Sequence, residues 1–230
     1  MNLYIGLDDT DNGESRGTGR LARNIAGVLA LNYPLLGVTR HQLLVDPGIP
    51  YTSHNSSAAL RFTVPEGIDL ADIQARVRAL MLADFQPGSD PGLCVAVDPV
   101  PAAVSEFGRR AQQMVLTQTE ARALAADAGL RLEGLGGTEG GVIGALAAVG
   151  LAATGEDGRY LLVGTARDLS GLQPVEAVLA AGIRAVTTLD GQRVDQGLVQ
   201  ADKLRPAQRH GEPIQFVEWH ETYWEPLKLD

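Results

Sequence analysis

The feature that most constrains this chain is its opening. An apolar run from Leu3 to Leu7 breaks directly into Asp8-Asp9-Thr10-Asp11, a polar, glycine-bearing loop, and then a helical pattern. So short an apolar run, closed by a polar loop, reads as a buried strand. A helix starts near Thr18, because Leu21, Ile25, Val28 and Leu29 recur at helical spacing and can lay one face on a sheet. Its N-terminus then points back at the loop, where free N–H groups and the dipole favour negative charge. The unit is strand, acidic loop, helix.

Three aspartates within four residues, at the end of a buried strand, can converge on one ion. Magnesium takes hard oxygen ligands, one or two carboxylates together with water and substrate phosphates. Asp8, Asp9 and Asp11 are therefore read as metal-holding and catalytic residues rather than as loop caps. Downstream, Arg16-Gly17-Thr18-Gly19 puts a cation, two residues without side-chain bulk and a hydroxyl at a helix start, the setting that binds phosphate. Taken alone, Thr18 reads as an ordinary N-cap; beside the carboxylates, a hydroxyl that contacts or accepts a phosphoryl group competes with that reading. No lysine lies near either glycine-rich segment, so this is not a Walker A loop, and Arg16, Arg20, Arg23 or Arg40 must balance nucleotide charge.

The remaining pattern alternates. Val38 to Val45 and Ala58 to Val64 read as strands, and Leu70, Ile73, Val77 and Leu80 mark an amphipathic helix. Leu93 to Val97 is a further strand, Ala102 to Met114 is helical, and Thr117 with Glu120 has capping-box spacing before a helix from Ala121 to Ala128. A second glycine loop, Gly134 to Gly141, feeds Val142 to Val149, which is small and apolar all round and suits a closely packed buried helix. Gly136, Gly137, Gly140 and Gly141 are candidates to touch a bound nucleotide at that helix start. Tyr160 to Thr165 and Arg184 to Leu189 read as strands around a helix running from Pro174 to Gly182, and Ile214 to Trp219 is a last strand. The alternation predicts a mixed α/β (α+β) architecture.

Composition closes several other routes. A formal net charge of -9 argues against a general nucleic-acid binder. Cys94, the only cysteine, excludes an internal disulfide and a cysteine-based zinc or iron–sulfur site, and the histidines lack helical metal-ligand spacing. With no basic start or long apolar stretch, neither a secretory signal nor a membrane span is expected, and the cytoplasm is the expected compartment. His41 and Cys94 read as core positions, and His210, His220 and the Arg109-Arg110 pair as exposed. Trp219, Tyr223 and Trp224 read as packing or interface aromatics that leave self-association open.

Taken together, IGLDDTD near the N-terminus, Thr18 at the following helix, IPYTSHNS in the middle and GGVIGALAAVG later resemble, in order and approximate spacing, the catalytic region of the archaeal isoleucine-tRNA 2-agmatinylcytidine synthetase. The resemblance implies an ATP-dependent kinase-like domain beside a ferredoxin-like domain. Expected boundaries are 1–60 with 130–190 for the first, and 61–129 with 191–230 for the second. It implies ATP and magnesium as cofactors, Asp8, Asp9 and Asp11 on the metal, and Thr18 at the family's phosphorylated threonine. Thr52 to Ser56 stand where the family has a KTRGN-like stretch, without its lysine and arginine, and Gly17 stands where a cysteine is usual. The chain leaves no room for the family's OB-fold and zinc ribbon, so the ATP chemistry is expected to transfer and the tRNA substrate is not.

The leading expectation is a magnesium-dependent, ATP-binding transferase or ligase-like enzyme acting on an unassigned small-molecule acceptor, with His54 and Asn55 meeting that acceptor. RNA as substrate, with a partner protein supplying affinity, ranks behind it. A haloacid-dehalogenase-like phosphohydrolase using Asp9-Thr10-Asp11, and a nucleotide sensor without turnover, are the other readings.

Overall fold

In the computed structural model, which describes residues 1–49 and 54–229, the opening apolar run forms β1 (Asn2–Asp8). β1 is antiparallel to both of its neighbours, β3 (Ser56–Thr63) and β4 (Gly92–Val97), and β2 (Leu35–Gln42) pairs with the far side of β3. With α1 (Thr18–Leu29) after β1 and α2 (Leu70–Ala83) after β3, residues 2–97 follow the βαββαβ order of a ferredoxin-like unit, strands arranged β4-β1-β3-β2. The expected domain boundary at 60/61 falls inside β3, and β1 and β4, expected in different units, pair from Leu3 opposite Val97 to Asp8 opposite Gly92.

The sheet extends in both directions. β5 (Arg131–Gly134) borders β4, and β6 (Arg159–Leu162) borders β2. Beyond β6 run β10 (Ala207–Arg209), β11 (Glu212–His220), β12 (Tyr223–Pro226), β9 (Leu198–Gln200) and β7 (Leu172–Pro174), with β8 (Ala185–Thr187) parallel to β11. The architecture is mixed α/β, as its alternating pattern predicts, with twelve strands and six helices among the described residues.

Strand parity distributes the core. Successive side chains of β1 point to opposite faces, so Leu3, Ile5 and Leu7 join Leu21, Ile25, Leu29, Ile73 and Val77 under α1 and α2. In α1 the buried stripe includes Ala22 and Ala26, while Val28, an expected member, is exposed. Tyr4 faces the other way, into a core built with α3 (Ala102–Ala111), α4 (Gln118–Asp127) and α5 (Val142–Thr154). A third core, around Val175, Val178 and Val199, gathers the later strands and α6 (Val175–Ala180).

The small residues of α5 have a specific purpose. A Cβ at Gly6 would lie 2.0 Å from the Ala145 carbonyl oxygen, one at Gly92 would lie 2.1 Å from Gly141, and one at Gly150 would lie 2.1 Å from the Val104 carbonyl oxygen. Backbone thus rests on backbone, with α5 pressed between the sheet and α3. Thr117 caps α4 in the capping box that the spacing predicts: its Oγ1 accepts the Glu120 N–H at 3.2 Å, and the Glu120 carboxylate accepts the Thr117 N–H at 3.0 Å. β2 begins and ends three residues before its expected bounds, with a register irregularity at Gly37. His41 and Cys94 are buried, His41 hydrogen-bonded to Thr39 Oγ1 at 2.8 Å and to Asp157 Oδ1 at 2.7 Å. No helix among the described residues is long and apolar enough to cross a membrane.

Candidate functional site

Parity also places the acidic loop. Asp8 shares the face of Tyr4 and Gly6, so its carboxylate meets the first turn of α5, where a Cβ at Gly144 would lie only 1.8 Å from Asp8 Oδ2. The chain then turns sharply at Asp9, whose φ of 49° is a left-handed conformation that L side chains adopt at a cost. The backbone amides of Asp9 and Asp90 favour the ionised forms of Asp8 and Asp9, respectively, but are outweighed. Burial, and then the charges of Asp9 and Asp11, push the Asp8 carboxyl up to about 8. Burial, then Asp90, then Asp11 push Asp9 up to about 6. Like charges have been enclosed together, an arrangement typical of functional sites.

Thr18 is not the N-cap of α1. Gly17 takes that position without a side-chain bond, and Thr18 is the first helical residue, 8 % exposed. Its hydroxyl donates to Asp11 Oδ1 at 3.1 Å and accepts the Thr10 hydroxyl at 3.1 Å. A buried hydroxyl held on a carboxylate has an oriented oxygen lone pair and an acceptor for its proton, which are the two needs of a phosphoryl-accepting or phosphate-holding group.

These residues border a cleft of about 280 Å³. Its lining combines Asp8, Asp9, Asp11, Asp90, Thr18 and Thr138 with the apolar side chains of Leu43, Ile49, Met114, Leu116 and Ile143. A smaller chamber of about 160 Å³ shares Asp11, Thr18, His54 and Ser56 with the cleft and adds Gly17, Gly19 and Arg40. Arg40 reaches it from β2, donating through Nε to Ser56 Oγ at 2.9 Å and through Nη2 to Gln42 Oε1 at 2.8 Å.

The expected residues separate in space. Gly140 and Gly141 line the cleft at the start of α5, whereas a Cβ at Gly136 would strike Phe85 and one at Gly137 would strike Asp90, so those two glycines serve packing. Arg16 is exposed and lines neither chamber. His54 lines both. Asn55 lines the cleft but ties its loop together, donating from Nδ2 to the Leu44 carbonyl at 2.6 Å while its own carbonyl accepts the Leu43 N–H at 2.9 Å. Pro50, Tyr51, Thr52 and Ser53 of the IPYTSHNS stretch lie outside the described residues.

Asp90 was not visible as a site residue in the sequence. It lies in the turn-forming run Pro87-Gly88-Ser89-Asp90-Pro91 just before β4, and accepts Thr138 N–H at 2.7 Å and Thr138 Oγ1 at 2.6 Å. Only the antiparallel pairing of β4 with β1, which sets Gly92 opposite Asp8, brings it beside the first aspartates. Asp8, Asp9 and Asp11, expected to converge on one ion, all line the cleft, but among the described residues no group of three or more His, Cys, Asp or Glu is placed to hold a metal ion.

No family model and no curated protein matches this sequence. Solved structures do. A tRNA fluorescent labeling enzyme and a complex of TiaS with an isoleucine tRNA and ATP each match with a TM-score of 0.58 and 24% identity, over 65% of this chain and 36% of theirs. A complex of TiaS with an isoleucine tRNA, AMPCPP and agmatine matches with a TM-score of 0.56 and 23% identity, over 65% of this chain and 36% of its own. The chain thus spans about a third of the length of these proteins, and what it shares with them is the fold, a partial match to the catalytic region that its motifs resemble.

Proposed function

We propose that the protein is a magnesium-dependent enzyme that binds ATP in the acidic cleft and transfers a phosphoryl or related group to a nucleotide acceptor, with RNA the leading acceptor class. The observation that carries this reading is the gathering of Asp8, Asp9, Asp11, Asp90 and Thr18 around one cleft that apolar side chains also line. Apolar lining suits a nucleobase, and polar lining with room for a cation suits phosphates. The fold supports it, since structures sharing it include complexes with ATP and with an ATP analogue. Two of those complexes also contain tRNA, which moves RNA ahead of the place its acidic composition gave it.

The donor set fits magnesium. The carboxylates are all hard oxygen donors, and their mutual repulsion is relieved by a cation. Asp8 and Asp9 would hold it, and bound magnesium would neutralise charge on the phosphates. Asp11 keeps the Thr18 hydroxyl oriented and can receive its proton. Gly140 lets phosphate approach the start of α5, Gly141 packs there on the backbone of Asp90 and Gly92, and Arg40 supplies the opposing positive charge in the second chamber. His54, at the junction of the chambers, meets the acceptor.

The test is ATP turnover with label in the α or γ phosphate, with and without unfractionated tRNA. Breakdown stimulated by tRNA, with label retained on RNA or released as ADP or AMP, is the expected result. Turnover that ignores tRNA and needs no ATP-specific base would favour a plain phosphohydrolase.

A further inference from the structure

Although the chain carries a formal net charge of -9, five of its arginines gather on one side of α1. Arg20 and Arg23 come from the first turns of that helix. Leu161 of β6 packs against Gly19, its Cδ1 2.8 Å from where a Cβ would be, and Arg23 Nη1 is 3.7 Å from the same point. The Leu161 carbonyl accepts Arg167 Nη1 at 3.2 Å. Arg167 and Arg205 both line a groove of about 100 Å³ floored by Leu161, Ala201 and Pro206. Arg159 precedes Tyr160, whose N–H donates to the Pro206 carbonyl at 2.7 Å and so ties β6 to the Arg205 segment.

The guanidiniums of Arg20, Arg23, Arg167 and Arg205 crowd one another. Burial first, and then Arg167, Arg20 and Arg205, hold Arg23 below its usual range; burial, Arg159 and Arg167 do the same to Arg205. Among the described residues Arg20, Arg23, Arg167 and Arg205 form no ion pair, whereas Arg78, Arg110, Arg122 and Arg193 each hold a carboxylate. The groove's one acid among the described residues, Asp202, accepts the Gly171 N–H at 2.9 Å. In a protein with more acids than bases, a cluster of like charges left unneutralised is a standing cost that an anion would remove. Guanidinium forks match phosphate oxygens in shape as well as charge.

We propose that Arg20, Arg23, Arg167 and Arg205 form a binding surface for the phosphodiester backbone of a single-stranded nucleic acid. The groove is too small to enclose a nucleotide, and the charges run from exposed Arg20 and Arg167 to half-buried Arg23 and Arg205, which suits a repeating anion over a single one. Leu161 lines both this groove and the second chamber, so a strand lying along the arginines passes the chamber that holds Thr18 and His54. The surface stands on its own geometry; its delivery of an acceptor to Thr18 rests on the proposed function.

The experiment is fluorescence anisotropy with a labelled short single-stranded RNA over a salt series, with ATP binding measured in parallel by calorimetry. Single-strand binding weakens with salt by about 0.7 log units per log unit for each phosphate neutralised, so four engaged arginines give a slope near about -3. Arg167→Ala with Arg205→Ala should weaken binding at low salt by roughly tenfold or more and flatten the slope by about 1.4. Arg193→Ala, whose side chain is paired with Asp195, should change neither. Unchanged affinity and slope in the double variant, no RNA binding by the wild type, or displacement of RNA by inorganic phosphate at matched phosphate concentration would each overturn the proposal. RNA binding without ATP binding keeps this surface and sinks the nucleotide reading of the cleft; ATP binding without RNA binding does the reverse.

Discussion

The acidic cleft and the arginine surface are opposite solutions to the same problem, lying on either side of the α1 N-terminus. In the cleft, Asp8 and Asp9 are half-buried and crowded by other carboxylates, and respond by holding protons, with carboxyls raised to about 8 and about 6. Arg20, Arg23, Arg167 and Arg205 cannot shed their charge in the same way, because a guanidinium stays protonated throughout the working range of pH. They lie at the surface or half-buried instead, screened by solvent and salt. A carboxylate cluster can be tightly crowded because it has a neutral form to fall back on. A guanidinium cluster has none and stays near water.

The largest effect that could break this contrast is steric. The Asp8 carboxylate occupies the space beside Gly144, so Gly144→Ala must displace either Asp8 or the start of α5. Thermal unfolding should show a loss of about 1–3 kcal/mol, the usual cost of overpacking, and magnesium-dependent nucleotide binding should disappear. A stable variant with normal binding would show that α5 fits loosely on Asp8.

A smaller effect separates the two regions by their response to solution conditions. Asp8 binds its proton more tightly folded than unfolded, so between about pH 4 and about 8 the native state carries extra protons and stability falls as pH rises. Melting the magnesium-free protein across that window should show this decline, and Asp8→Asn should flatten it and raise Tm at the alkaline end. The arginine surface should contribute nothing to that pH dependence and should answer only to salt. A pH profile in Asp8→Asn matching the wild type would remove Asp8 as the source.

Much of the acidic region was legible in the sequence because it is local. Leu3 to Leu7, Asp8 to Asp11 and Thr18 lie within one strand, loop and helix, and parity alone assigns Asp8 to a face. The all-round small composition of α5 likewise announced close packing, although which backbone it would meet did not follow until Gly6 and Gly92 were seen beneath it. Asp90 stayed hidden because its role depends on β4 lying beside β1, a pairing between segments about ninety positions apart. The three- and four-residue strands β5, β7, β9, β10 and β12 are too short for alternation to register. The arginine surface draws on positions from 20 to 205, so only the tertiary fold assembles it.

Whether the acidic cleft is a magnesium–ATP site is tested most directly by a calorimetric titration of the protein with ATP, with and without magnesium, comparing wild type with Asp9→Ala. Magnesium-dependent binding in the wild type, weakened at least about 100-fold in Asp9→Ala (about 2.7 kcal/mol or more) while the variant melts cooperatively, is the predicted result. Absence of binding to folded wild type, or equal binding by Asp9→Ala, would contradict it.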